Sequence, residues 1–192
     1  GNPQLALNYQ LRLNEIKPSA ENAMNLAYLY ERLNQPVKAK QVFHQALAYN
    51  PTAHQKRIIY QELGFISIDE KKYEEAGEYF LHALKYDPDS TLLHEQMGLI
   101  TYQLNQYQRS EYHYEKALQN RPNDLNLRQN FAQVLHKQKK YEESLEQYKI
   151  LMEQKPTAQV YASTGYLYNE IGKVGAAIVY LDKASQQPER FN

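Results

Sequence analysis

Apolar residues recur along this chain at spacings of three and four, in stretches of about a dozen residues separated by short polar turns. Two kinds of stretch alternate. The first sets a large apolar residue before a small one, in Leu26-Ala27, Leu63-Gly64, Met97-Gly98 and Phe131-Ala132, and Thr164-Gly165 keeps only the small member. The second runs small, aromatic, small in Ala39-Phe43-Ala46, Ala76-Phe80-Ala83 and Ser110-Tyr114-Ala117, with looser versions in Ser144-Tyr148-Leu151 and Ala177-Leu181-Ala184. Offsets of four and three put each trio on one stripe of a helix, and a small residue opposite a large one lets two helix backbones approach closely. The pattern predicts helix pairs at 20–33 and 36–49, 57–70 and 73–86, 91–104 and 107–119, 125–138 and 141–154, and 158–171 and 174–186, preceded by a lone second helix from Gln4 to Glu15.

Prolines punctuate these units. Pro18, Pro51, Pro88, Pro122, Pro156 and Pro188 lie 33, 37, 34, 34 and 32 residues apart, each just after a second helix that it terminates by removing a backbone donor. A period in this range marks supersecondary units that cannot bury their apolar face alone and must stack on neighbours. The expected fold is therefore all-α, a right-handed α-solenoid of antiparallel helix pairs. We read one array over 1–192, with a half-repeat at 1–19 and five repeats at about 20–53, 57–90, 91–124, 125–157 and 158–190, since no Pro/Gly/Ser linker or charge block divides it. The interval of 37 residues places about three extra residues around Ala53 to Lys56, in the loop or as an added turn of the next helix.

The columns resemble the tetratricopeptide repeat family, whose succession of Leu-Gly, Tyr, Ala, an aromatic, Ala and Pro is met best between Tyr60 and Pro88. The family's frequent tryptophan column holds Ala23, Tyr60, His94, Arg128 and Tyr161, so the contacts of that column are expected to change at His94 and Arg128. The resemblance implies that first helices line a concave groove. Groove-facing candidates are Met24, Asn25, Tyr28 and Arg32; Ile58, Gln61, Glu62, Phe65 and Asp69; Glu95, Gln96, Leu99 and Tyr102; Gln129, Asn130, Gln133 and His136; and Ala162, Ser163, Tyr166, Asn169 and Glu170. The earlier candidates include large apolar groups, and the later ones are dominated by amides, which both donate and accept. The family's carboxylate clamp of lysine, arginine and asparagine is not matched, and Glu62 and Glu95 would repel a carboxylate.

Composition narrows the function. Lys+Arg 22 against Asp+Glu 22 leaves no long-range field to collect nucleic acid or an anionic membrane. No apolar run approaches the roughly 18 to 20 residues of a membrane span, and the absence of cysteine removes disulfides, zinc thiolates and thiol nucleophiles together. No metal or other cofactor is expected. The six histidines never share a helix face at metal-ligand spacing, Glu74-Glu75 and Glu142-Glu143 fall in helix first turns where the macrodipole favours them, and Gly172-Lys173-Val174-Gly175 lacks the strand and spacing of a phosphate loop. The basic run His136-Lys137-Gln138-Lys139-Lys140 reads as a solvated turn. An enzyme has no support.

Asn2-Pro3-Gln4-Leu5-Ala6-Leu7-Asn8 with Pro18-Ser19-Ala20, and Glu189-Arg190-Phe191-Asn192, resemble the last repeats of bacterial outer-membrane phage-adsorption proteins, similar in plan to exopolysaccharide exporters. That likeness implies a periplasmic setting before a barrel; bacterial pilus-assembly repeat proteins are an equal competitor. Opening at Gly1 inside a second helix, the chain reads as a piece of a longer protein. The expected function is a non-catalytic scaffold gripping a peptide segment or partner helix in the groove, with a carbohydrate-guiding surface in envelope export as the alternative. Leu5, Leu7, Leu11 and Leu13 at one end and Ile178, Val179 and Leu181 at the other are expected to stay partly uncovered and to favour weak self-association.

Overall fold

The structure, a computed structural model, describes residues 3–187. Asn2, Pro188 and the closing Glu189-Arg190-Phe191-Asn192 lie outside the described residues. Over the described residues there is no strand, and eleven helices follow in order: α1 Pro3–Ile16, α2 Ala20–Arg32, α3 Pro36–Ala48, α4 Ala53–Asp69, α5 Tyr73–Leu84, α6 Thr91–Gln103, α7 Tyr107–Asn120, α8 Leu125–Lys137, α9 Tyr141–Gln154, α10 Ala158–Glu170 and α11 Val174–Ser185. The backbone divides into two compact units, residues 1–96 and 97–192.

First and second helices begin by different devices. Four first helices carry a side-chain cap: Ser19 accepts from Asn22 N–H, Asp124 from Asn126 and Leu127, and Thr157 from Val160. Thr52 and Gln55 form a reciprocal capping box on α4. That box lets α4 start at Ala53, so the extra residues of the long interval are an added helical turn. Second helices α3, α5, α7, α9 and α11 have no such cap. They start from the end of the preceding helix, where Asn34, Lys71, Asn105, Lys139 and Gly172 all take positive φ. Just beyond them, Gln35 N–H donates to Tyr30 C=O, Lys72 to Ser67, Gln106 to Thr101, Lys140 to Leu135 and Lys173 to Tyr168. This is one Schellman motif used five times, closing each helix pair through the same left-handed residue.

The small-residue columns work by direct contact. A Cβ at Gly64 would lie 2.7 Å from the Phe80 ring, and one at Gly98 would lie 2.9 Å from the Tyr114 ring, so each glycine seats the aromatic of its own second helix. Ala39, Phe43, Ala46, Ala76, Phe80, Ala83 and Ala117 are wholly buried. In the first unit Leu26, Phe43, Ile59 and Leu63 form one core that also takes in Leu7 of α1, so Leu7 is covered, contrary to expectation, and Leu11 packs beside it. The second unit holds a core of Tyr114, Leu127 and Phe131 and another of Tyr148, Leu151, Val160 and Leu167.

Candidate functional site

Two of the family's tryptophan positions keep their structural part with other chemistry. His94 Nε2 meets the Pro88 carbonyl at 2.9 Å, and Arg128 Nη2 donates to the Pro122 carbonyl. Each side chain thus ties a first helix to the proline turn six residues before it. Tyr60 instead stacks on His82 and Tyr86, and Tyr161 on Tyr180.

On the first helices of unit one, the expected groove residues separate into surface and core. Met24 is a correction: it is only 8% exposed and belongs to the buried core, where a flexible apolar side chain gains more by filling space than by lying in water. Asn25 and Asp69 are exposed, and Tyr28, Gln61, Glu62, Phe65, Glu95 and Gln96 are half-buried. Tyr28 packs edge-on against Phe43, with centroids 5.4 Å apart, and Phe65 does the same against Phe80 at 5.4 Å. Both rings therefore belong partly to the helix-pair packing.

Around Tyr28 the structure gathers acid groups from two helices. Glu31 of α2, the neighbour of the expected groove residue Arg32, has its pKa pushed up to about 7 by burial first and then by Glu62 and Asp69 of α4. Burial also raises Glu62, and Tyr28 is pushed up to about 12 by burial, then by Glu62 and Glu31. Arg57 Nη1 donates to Gln61 Oε1 at 2.9 Å rather than pairing with these carboxylates, and Gln61 Nε2 reaches Glu62 at 3.4 Å. Glu31, Glu62 and Asp69 form no ion pair among the described residues. Glu31 was legible as the residue one turn after Tyr28, at the third rather than the fourth place.

The first helices of unit two gather no such cluster: Glu170, at the end of α10, is exposed and accepts from the Tyr141 hydroxyl at 3.4 Å. Leu99 is 40% exposed and Tyr166 60%, while Tyr102, Gln129, Asn130 and Gln133 are half-buried. Tyr102 lies edge-on to Tyr107 at 5.7 Å. His136, lowered by burial first, lies beside Tyr141.

The basic run is more than a solvated turn. Lys140 Nζ lies 2.6 Å from Glu111 Oε1, and Gln138 Nε2 donates to Glu111 Oε2 at 2.8 Å, so Gln138 and Lys140 anchor the run to the preceding helix pair. Unit one has a counterpart: Lys40 Nζ donates to Ser67, to Glu70 at 2.8 Å and to Glu75 at 2.6 Å. Glu75, expected as a helix-dipole residue, thus also closes a tie between helix pairs. No group of three His, Cys, Asp or Glu among the described residues could hold a metal ion, and no described helix is long and apolar enough to cross a membrane.

Sequence profiles of the tetratricopeptide repeat family match residues 20–52, 59–90 and 101–164. The chain carries tetratricopeptide repeats in both units, with the all-helical fold they specify. Among solved structures, YrrB, described as a TPR protein with an unusual peptide-binding site, is 24% identical, covers 95% of this chain and 93% of its own, and superposes with a TM-score of 0.82. A MamA crystal structure is 17% identical over 89% of this chain and 92% of its own, at a TM-score of 0.80. MamA from Desulfovibrio magneticus RS-1 is 14% identical over 87% and 93%, at 0.76. No curated protein sequence matches the chain.

Proposed function

We propose that this chain is a non-catalytic scaffold that grips a peptide segment on its first helices, and that the α2–α4 face of unit one selects neutral or basic residues. The observation that carries this reading is the set of half-buried carboxylates, Glu31 and Glu62, lying without an ion-pair partner beside Tyr28 and Phe65. Carboxyl groups kept partly out of water with no ion-pair partner gain most from a cationic or hydrogen-bond-donating ligand, and flanking aromatic rings supply contact area. An acidic peptide would meet repulsion there. The likeness to YrrB, with its peptide-binding site, supports a peptide ligand.

A peptide array graded from acidic through neutral to basic tests the reading, followed by titration of the best binder. Binding should favour neutral and basic peptides. Phe65→Ala should weaken it by about 1 to 2 kcal/mol beyond the stability it costs through lost contact with Phe80, with binding read on folded protein well below its melting temperature, and Glu62→Gln should reduce the preference for basic peptides. Equal binding of acidic and basic peptides, or indifference to both substitutions, contradicts it.

The carbohydrate reading, and the envelope setting that goes with it, keeps one specific support: Tyr166 is 60% exposed in a unit whose first helices carry Gln129, Asn130 and Gln133. An exposed ring with amides suits sugar stacking and hydroxyl pairing. A glycan array in which every signal survives Tyr166→Ala removes that reading.

A further inference from the structure

Counted back from the left-handed residue that closes each first helix, Glu31 stands three places before Asn34 and Glu62 nine places before Lys71. No other first helix has a carboxylate at either place. The repeat frame therefore does not require these two acids, and by themselves they are unfavourable: both are half-buried, and Glu62 and Asp69 of α4 both repel a charge on Glu31. The cation nearest to hand is held off. Arg57 Nη1 donates to Gln61 Oε1 at 2.9 Å and Gln61 Nε2 reaches Glu62 at 3.4 Å, so an amide stands between the guanidinium and the carboxylate.

The neighbouring charges leave the set unanswered. On α2 itself Glu31 has Tyr28 and exposed Arg32 near it, and from α4 it meets Glu62 and Asp69, with Arg57 acting on Tyr28 and Glu62. On the other elements packed against α2, α1 carries exposed Arg12 and Glu15, while on α3 Lys38 lies over the Tyr30 ring and Lys40 is taken up by Glu70 and Glu75. Like-charged groups kept partly dry and close together hold a proton until a cation replaces it. A lysine or arginine side chain can take the proton's part, and the Tyr28 ring adds contact to its hold. Burial, Glu62 and Asp69 set Glu31 near 7, so the exchange falls in the neutral range.

On the reading that peptides bind this face, we propose that it exchanges a proton for a cation: a lysine or arginine side chain of the peptide settles beside Tyr28 against Glu31 and Glu62, and the proton they held passes to solvent. The carboxyl groups are charged above the exchange and neutral below it, so the grip tightens as pH rises and acid releases the peptide. Titration calorimetry tests this with an acetylated, histidine-free peptide carrying one lysine, beside the same peptide with norleucine in that place. Neither ligand titrates near neutrality. The lysine peptide should bind about tenfold more weakly at about pH 6 than at about pH 8, the limit for one carboxyl titrating near 7. At pH 7 it should release about half a proton, read from two buffers of different ionisation heat. The norleucine peptide should bind equally at both pH values, and Glu31→Gln should remove most of the dependence seen with lysine. A lysine peptide preferred over its norleucine counterpart yet bound equally at the two pH values overturns the exchange and leaves the peptide reading standing. Loss of that preference, or binding unchanged by Glu31→Gln and Glu62→Gln alike, overturns both.

Discussion

The two units tie successive helix pairs at equivalent positions with opposite chemistry. In unit one the residue after the first small stripe position is Lys40, which draws Glu70 and Glu75 together; in unit two it is Glu111, which holds Gln138 and Lys140. Glu70 and Gln138 each immediately precede the left-handed residue of their turn, Lys71 and Lys139. A change of sign on the helix is thus matched by a change in the turn that it meets. The first helices differ in the same sense, with Glu31, Glu62 and Asp69 in unit one and Gln129, Asn130 and Gln133 in unit two. The repeat frame constrains its apolar and small columns through close contact and leaves the polar columns free to vary, provided each tie is answered locally.

The shared frame should be the most sensitive to change. Gly64→Leu in unit one and Gly98→Leu in unit two should each cost about 3 kcal/mol, since both drive a side chain into a ring already at contact distance. Urea melts of the two variants check this, and a loss in only one unit would show that the glycine columns are not equivalent.

The ties should differ next. Lys40, with its side chain 14% exposed, bridges two carboxylates, so Lys40→Ala should cost about 2 kcal/mol. Lys140, 39% exposed and paired with one, should cost about 0.5 kcal/mol. The hydrogen bond from Lys40 is the main cause holding Glu70 and Glu75 below the usual carboxylate range. That stabilisation is present above the unfolded pKa of about 4.5 and is lost as pH falls through the lowered folded values. Thermal melts of the parent protein should therefore fall with acid below about pH 4.5 more steeply than those of Lys40→Ala.

The acid face adds an opposite dependence in unit one. Glu31 titrates near pH 7 when folded, above its unfolded value, so the folded state binds the extra proton between about 4.5 and 7. Its stability contribution is full below the unfolded pKa and is lost as pH rises through the folded one. Melting temperature should drop between about pH 4.5 and 7, and Glu31→Gln should flatten that drop. A smaller effect is expected at the turns: Lys71→Gly and Lys139→Gly should each raise stability by about 0.5 to 1 kcal/mol by relieving positive φ, with equal gains in the two units.

Helix spans and pairing were legible in the sequence because large-small pairs, small-aromatic-small trios and prolines repeat at fixed offsets. Residues whose part depends on a neighbouring repeat were not. Met24 sits at a surface offset yet is pulled into the core, and Glu31 matters through carboxylates on α4. Gln138 and Lys140 look solvated until Glu111 is placed beside them, and Leu7 looks uncovered until α2 is. Periodicity fixes which face of a helix a residue occupies, not what stands opposite. His94 and Arg128 broke the aromatic column in sequence, but each reaches the carbonyl of the proline six residues before it, a role set by reach rather than by residue class.

The most direct test of the central claim, that first helices form the ligand surface, is amide chemical-shift mapping with the best array peptide. The account predicts that the perturbed amides in unit one cluster around Tyr28, Glu31, Gln61 and Phe65, while those of α3 and α5 stay still. Perturbation centred on α3 and α5, with Tyr28 and Phe65 unmoved, would contradict it.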